Sequence, residues 1–157
     1  MTPRRMFIVG IGVCAVAGLP AVARAESNPF VGRWHWDRAA SKLPPGEPVP
    51  DNMVTAFTRV DPLHVRWHVT VTDAQGQTSV ERFDTPANGE FYPISSDTTA
   101  SFRVNGSTLQ ATFKGAAGQT DSLACTVSAD RQKMTCNGTI TGSGGKSSNY
   151  VDVYDRR

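Results

Sequence analysis

The sequence predicts an all-β fold, a single up-and-down antiparallel β-barrel of about 8 to 10 strands. From Val31 onward, apolar residues recur at every second position, which is the period of a strand with one buried face. Clusters of Gly, Asn, Asp or Pro interrupt these runs about every 8 to 12 residues, as hairpin turns do. No stretch has the period of an amphipathic helix of ordinary length.

The runs between turn clusters predict the individual strands. They lie near residues 32–37, 53–60, 63–72, 77–84, 89–93, 98–104, 108–114, 119–128, 133–140 and 147–155. Because the connections are short enough for hairpins, successive strands pair as a meander, and closing the sheet removes its exposed edges. The segment Ala39–Asp51 is the exception, since its prolines predict an extended surface loop.

The turn after the second strand predicts which residues face the core. Asp61-Pro62 fits the first positions of a type I turn, so even-numbered residues before it pair with odd-numbered residues after it. The expected core face is then Val54, Ala56, Thr58, Val60, Leu63, Val65, Trp67, Val69 and Val71.

The first 25 residues have the pattern of a cleaved bacterial signal peptide. Arg4 and Arg5 precede the short apolar run Met6–Leu19, and Ala23–Ala25 has the small residues of a cleavage site. The run is too short for a retained membrane anchor. We expect cleavage after Ala25, a mature domain of residues 26–157, and a periplasmic or secreted location. Both the general secretory route and the twin-arginine route fit these residues.

Cleavage would change the charge balance. The full chain has a formal net charge of +2, and loss of Arg4, Arg5 and Arg24 leaves about −1. The remaining Lys and Arg residues do not cluster, so neither nucleic acid nor an anionic membrane is an expected partner.

Two cysteines remain in the mature chain, Cys125 and Cys136. An even pair in an oxidising compartment favours a disulfide over two buried free thiols. A two- or four-residue loop centred on Asp130-Arg131 places the two cysteines opposite each other on paired strands. A three-residue loop with Arg131 in the left-handed region would separate them, but a residue with a Cβ is strained there. We therefore predict the bridge.

No residue pattern indicates catalysis, and we expect a protein that is not an enzyme and needs no cofactor or metal. Serines, cysteines and lysines lack a nucleophile setting, and carboxylates are scattered through turns. His64 and His68 share one strand face but lie roughly 13 Å apart, too far to chelate one metal. With Arg66 and Arg59 they form either a basic stripe for an anion or, as we favour, a solvated outer face.

The aromatic residues are the candidates for a ligand cavity, although aromatic residues also fill barrel cores. Trp67 is the strongest candidate because it lies mid-strand. The predicted ligand-binding residues are Val65, Trp67, Val69, Phe102, Phe113 and Tyr150; the wider aromatic set adds Trp34, Trp36, Phe83 and Tyr154.

The segment Asn28–Trp34, with the sequence Asn-Pro-Phe-Val-Gly-Arg-Trp, resembles the start of the lipocalin-like calycins. Their first strand opens with Gly-x-Trp, here Gly32 and Trp34, and an Arg near the last strand, here matched by Arg156, packs over that Trp. The mature chain is also similar to small exported bacterial lipocalin-like proteins. The resemblance implies a barrel whose open end admits a small hydrophobic molecule, with Trp34 as a structural plug at the other end.

Two functions are therefore expected to compete. The first is binding of a small hydrophobic or amphipathic ligand. The alternative is a protein-interaction module, an inhibitor or chaperone-like partner of an exported enzyme, with the Ala39–Asp51 segment as its contact.

Overall fold

The computed structural model describes residues 27–44, 49–115 and 117–157, and these form an all-β domain. The predicted signal peptide lies outside the described residues. No helix in the described ranges is long and apolar enough to cross a membrane. The strands are β1 Gly32–Trp36, β2 Asn52–Asp61, β3 His64–Thr72, β4 Thr78–Pro86, β5 Tyr92–Pro93, β6 Thr98–Asn105, β7 Thr108–Gly115, β8 Thr120–Val127, β9 Lys133–Thr141 and β10 Ser147–Arg156. The predicted all-β fold and its succession of strands are confirmed.

The strands form one antiparallel sheet that curls into a nearly closed barrel. Their order is β4-β3-β2-β1-β10-β9-β8-β7-β6-β5, so neighbouring strands are consecutive in the sequence except for β1 and β10. That pair joins the two ends of the chain, with Trp34 opposite Arg156. Within the described residues no ladder joins β4 to β5, and we call this gap the seam. One bridge, Asn88 to Arg103, links the β4–β5 connection to β6.

Aromatic rings pack inside the barrel and join its two sides at the seam. Trp67 of β3 lies 4.8 Å from Phe83 of β4 and 4.7 Å from Phe102 of β6, between ring centroids. Phe83 in turn lies 6.2 Å from Phe113 of β7. With Phe57, 5.4 Å from Trp67, these five rings form the aromatic cluster. Each such pair contributes about 0.5 to 1.5 kcal/mol beyond its burial, so side-chain packing replaces the missing backbone hydrogen bonds.

The predicted turn between β2 and β3 is confirmed. Asp61 pairs with His64, which leaves Pro62 and Leu63 as the two loop residues. The Asp61 carboxylate accepts hydrogen bonds from the backbone N–H groups of Leu63 and His64, each at 2.9 Å. Leu63 is 76% exposed, so its predicted place in the core was wrong. It lies at the tip of the turn, beyond the ladder.

A β-bulge changes the face that β2 presents to the core. Arg59 pairs with Arg66, but Phe57 pairs with Trp67, so Thr58 is an extra residue. One extra residue reverses the alternation beyond it. The inward residues of this part of β2 are therefore Met53, Thr55 and Phe57, and the predicted core positions of Ala56 and Thr58 were wrong. Val54 is buried, as predicted, although it does not line the cavity.

Arg156 closes one end of the barrel. Its guanidinium lies 4.1 Å above the Trp34 ring and donates hydrogen bonds to the carbonyls of Val31, at 2.9 Å, and Pro29. Gly32 has a φ of 139°, and a Cβ there would overlap the guanidinium. The contact of this arginine with Trp34 is the one that the resemblance implies, and the fully buried Trp34 forms the plug of this end.

The segment Ala39–Asp51 packs on the barrel in part, whereas Ala39 and Ala40 are exposed; residues 45–48 lie outside the described residues. Lys42 forms a bridge with Val151 and so extends the pairing of β1 along β10. Leu43 and Val49 pack against the core. These contacts join Lys42, Leu43 and Val49 to the barrel, where the sequence predicted an extended surface loop.

The predicted disulfide between Cys125 of β8 and Cys136 of β9 is confirmed. The two residues are direct partners in the ladder. Ser128 N–H donates to the Lys133 carbonyl at 2.9 Å, so the loop has four residues, an even number as predicted.

The loop departs from expectation at Arg131, whose φ is 60°. Its backbone was expected to avoid this left-handed conformation. The Arg156 Nε donates to the Arg131 carbonyl at 2.6 Å, and the Asp130 carboxylate accepts from Gln132 N–H at 3.1 Å. These hydrogen bonds offset the strain.

Replacement of both cysteines by alanine should lower the free energy of unfolding by about 2 to 3 kcal/mol, because the crosslink restricts the unfolded chain. Urea unfolding followed by circular dichroism measures this loss. The wild type in reducing agent is the control, and its urea midpoint should equal that of the variant. An oxidised wild type with the same midpoint as the variant would contradict the prediction.

Candidate functional site

The barrel interior contains a cavity of about 590 Å³ that is partly open to solvent. This volume is within the range of small-molecule sites, roughly 300 to 1,000 Å³. The wall is mainly apolar and aromatic, and Phe57, Trp67, Phe83 and Phe113 of the aromatic cluster contribute to it. The aromatic residues therefore both hold the barrel together and form the surface that a ligand would meet.

Four of the six predicted ligand-binding residues lie on this wall, namely Trp67, Val69, Phe113 and Tyr150. Val65 and Phe102 are 0% exposed and do not line the cavity. Both belong to the packed part of the core, where Phe102 meets the Trp67 ring. Alternation places all six on the inner face, but it does not tell which of them border empty space.

Part of the wall crosses the seam. Glu81 and Phe83 of β4 line the cavity, as do Ile94 and Asp97 of the β5–β6 connection. At the seam the cavity wall therefore consists of side chains from strands that are not hydrogen-bonded to each other.

Two carboxylates project into the cavity, Asp121 of β8 and Asp152 of β10. Tyr150 donates its hydroxyl to Asp121, at 2.8 Å and 3.1 Å to the two oxygens. Trp36 Nε1 donates to Asp152 at 2.9 Å. Burial raises the pKa of both carboxyl groups, and the Asp152 charge raises the pKa of Asp121 further.

Sequence reasoning missed these two residues, although the sequence contains the signal for them. Asp121 alternates with Leu123 and Cys125, and Asp152 stands between Tyr150 and Tyr154, so strand parity places both on the inner face. Asp and Glu are seldom found inside a core. An inward Asp in a strand is therefore a candidate site residue.

Gly138 allows Tyr150 to reach Asp121. Tyr150 pairs with Gly138 of β9, and Asp121 lies on β8, one strand further. A Cβ on Gly138 would overlap the Tyr150 ring. The tyrosine therefore lies across the glycine, and the sequence motif Asn-Gly-Thr at 137–139 has a structural role within the strand.

The predicted basic stripe is an ion-paired outer face. His64 and Arg66 both bind Asp84, and Arg59 binds Asp61. Hydrogen bonds from His64 and then from Arg66 lower the pKa of Asp84. Acidic partners therefore occupy three of the four basic side chains of the stripe, Arg59, His64 and Arg66, which favours the solvated outer face over an anion site.

A meandering barrel with a plugged end and a hollow interior is a calycin-type fold. The chain is similar to the fluorescent protein UnaG, with a TM-score of 0.53, 14% identity, and coverage of 82% of this chain and 97% of that one. It is also similar to the zebrafish ileal bile acid-binding protein in complex with cholic acid, with a TM-score of 0.50, 15% identity, and coverage of 82% and 99%. Identities this low establish the fold alone. No protein-family model matches the sequence, and no curated protein matches it either.

Replacement of Gly138 by alanine should displace Tyr150 and break its bond to Asp121, at a cost of about 1 to 3 kcal/mol in unfolding free energy. Urea unfolding measures the cost. Gly144→Ala is the matched control, because nothing lies within 4 Å of a Cβ there and the expected change is within about 0.5 kcal/mol. Equal stability of the two variants would refute the role assigned to Gly138.

The stability of the protein should depend on the ionisation of Asp152. Its native pKa is raised above the ordinary value of 3.8, so the stability it contributes is complete below that value and is lost as the pH rises through the native pKa. Asp152→Asn cannot ionise and keeps an acceptor for Trp36. The difference in unfolding free energy between this variant and the wild type should therefore grow in favour of the variant as the pH rises from about 3 to about 7. Urea unfolding at intervals across this range measures the difference. Asp155→Asn, which breaks a partly exposed pair with Lys133, should show no gain. If Asp155→Asn gained as much stability with rising pH as Asp152→Asn, the pH dependence could not be assigned to Asp152.

Proposed function

We propose that the protein is a binding protein that holds a small hydrophobic or amphipathic ligand inside the barrel and releases it chemically unchanged. The observation that carries the proposal is the cavity of about 590 Å³ with its aromatic and aliphatic wall. No cofactor or metal takes part in the proposed function.

The chemistry of the wall supports this function. Trp67, Phe83 and Phe113 present ring faces and edges to the cavity, and Val69 and Leu123 add aliphatic surface. Removal of apolar surface from water contributes about 25 cal/mol per Å² before the costs of association. A ligand that buries about 300 Å² of apolar surface would therefore gain about 7 kcal/mol from this source.

The fold is compatible with such a role. The zebrafish protein named above holds cholic acid and has a barrel of the same type. The likeness is one of fold, so the support particular to this chain is its own cavity.

We propose export to the periplasm as the setting. The signal-like residues 1–25 support it, and the disulfide is of the kind that persists in oxidising compartments. Mass spectrometry of a periplasmic extract should find a chain that begins at Glu26. A chain retaining residues 1–25 in the cytoplasm would contradict this setting.

The alternative, a partner of an exported enzyme that docks through Ala39–Asp51, has less support. The apolar side chains Leu43 and Val49 of that segment turn toward the core of the barrel. These two side chains are therefore not available to form the apolar centre of a docking surface.

A neutral fluorophore, phenylnaphthylamine, tests the function. The wild type should bind it saturably at one site, with a rise in fluorescence as the dye leaves water. Ala111→Phe should weaken binding at least about tenfold, because Ala111 lines the cavity and the added ring occupies its volume.

Ala124→Phe is the matched control. Ala124 lies on β8 between Leu123 and Cys125, two residues of the wall, so it faces outward. Its binding should equal that of the wild type. Absence of saturable binding to the wild type, or equal loss in both variants, would refute the proposed function. Recovery of a chemically altered ligand from the native protein would refute binding without turnover.

A further inference from the structure

The charges on the cavity wall are unbalanced. Glu81, Asp97, Asp121 and Asp152 are acidic, and Arg82 is the one basic residue that lines the cavity in the described part of the chain. Strand alternation gives Glu81 the inner face of β4 together with Phe83, and gives Arg82 the outer face. The inward charges are therefore negative.

Asp121 and Asp152 have neutral partners inside the barrel. Each accepts from one neutral donor, the Tyr150 hydroxyl and Trp36 Nε1 respectively. A carboxylate has about four acceptor sites, so both retain capacity toward the cavity. Neither forms an ion pair with any cation of the described residues. Both side chains are partly buried, so they lose hydration that a cation in the cavity would compensate.

The cavity supplies the space in which a cation could meet them. The carboxylates share one wall with Trp67 and Phe113, whose rings form the apolar part of the same enclosure. A site of this kind holds an apolar body by its rings and fixes the orientation of the ligand by a few polar groups.

We propose that the ligand is an amphipathic cation, an apolar body whose ammonium group is held in the cavity by the negative charges of Asp121 and Asp152. The inference rests on the proposed function and names its ligand class. An ammonium carries three donors and no acceptor, which matches two acceptor-only carboxylates. An anionic ligand of the same shape would meet two like charges in a mainly apolar cavity.

Three adamantane derivatives of one shape and different charge test the proposal: adamantylmethylamine, adamantylmethanol and adamantane carboxylate. Displacement of phenylnaphthylamine at neutral pH measures each affinity. The amine should bind the wild type about 10- to 100-fold more tightly than the alcohol, because a hydrogen bond between charged groups is stronger than one between neutral groups by about this factor. The carboxylate should bind most weakly of the three.

Asp121→Asn and Asp152→Asn keep an acceptor for Tyr150 and Trp36 while removing the charge. In each, the preference for the amine over the alcohol, taken as the ratio of their affinities in the same variant, should fall about tenfold or more. Asp155→Asn is the matched control on the same strand, because it removes one negative charge outside the cavity and should keep the preference.

The outcomes separate this inference from the function on which it rests. If the fluorophore and the alcohol bind but the amine binds no more tightly, the cation is refuted and the binding function stands. The cation is refuted in the same way if Asp155→Asn lowers the preference as much as Asp152→Asn. If no compound binds the wild type, the proposed function fails, and the inference fails with it.

Discussion

The structure depends on the contact of aromatic side chains across the seam. Hydrogen-bonded ladders join the strands in sequence, from β4 through β1 and β10 to β5, but the two outermost strands share none in the described residues. Trp67 and Phe83 on one side meet Phe102 and Phe113 on the other, so burial of rings closes the barrel there. Because rings are large and stiff, they cannot collapse into all of the interior, and the cavity remains beside them.

The two ends of the barrel have different chemistry. At the closed end, the Arg156 guanidinium finds carbonyl acceptors and the face of Trp34, so its charge is compensated within the fold. In the cavity, Asp121 and Asp152 receive one neutral donor each. The contacts of Arg156 therefore stabilise the closed end. The two carboxylates of the cavity have no cationic partner among the described residues, and a cationic ligand would supply one. This difference separates the part of the barrel that maintains the fold from the part proposed to bind.

The candidate site could be predicted only in part from the sequence. Alternation identified Trp67, Val69, Phe113 and Tyr150 as inward residues, and all four line the cavity. It treated Val65 and Phe102 in the same way, although they border packed side chains. The carboxylates were overlooked because Asp residues were interpreted as turn residues, whereas their parity along β8 and β10 places them inside. The glycine that lets Tyr150 reach Asp121 acts through a neighbouring strand, and such a contact is not visible in a local pattern.

The amino-acid sequence by itself determined the ten strands, their meander and the disulfide, because these depend on local alternation, on turns and on pairs that neighbouring strands bring together. The contact of Arg156 with Trp34 was expected only from the resemblance of the first strand to lipocalin-like proteins. The tertiary structure decided the bulge at Thr58, the position of the seam and the division of the interior between packed rings and cavity. These features depend on how side chains from distant strands share a fixed volume, and a one-residue shift in one strand exchanges its inner and outer faces.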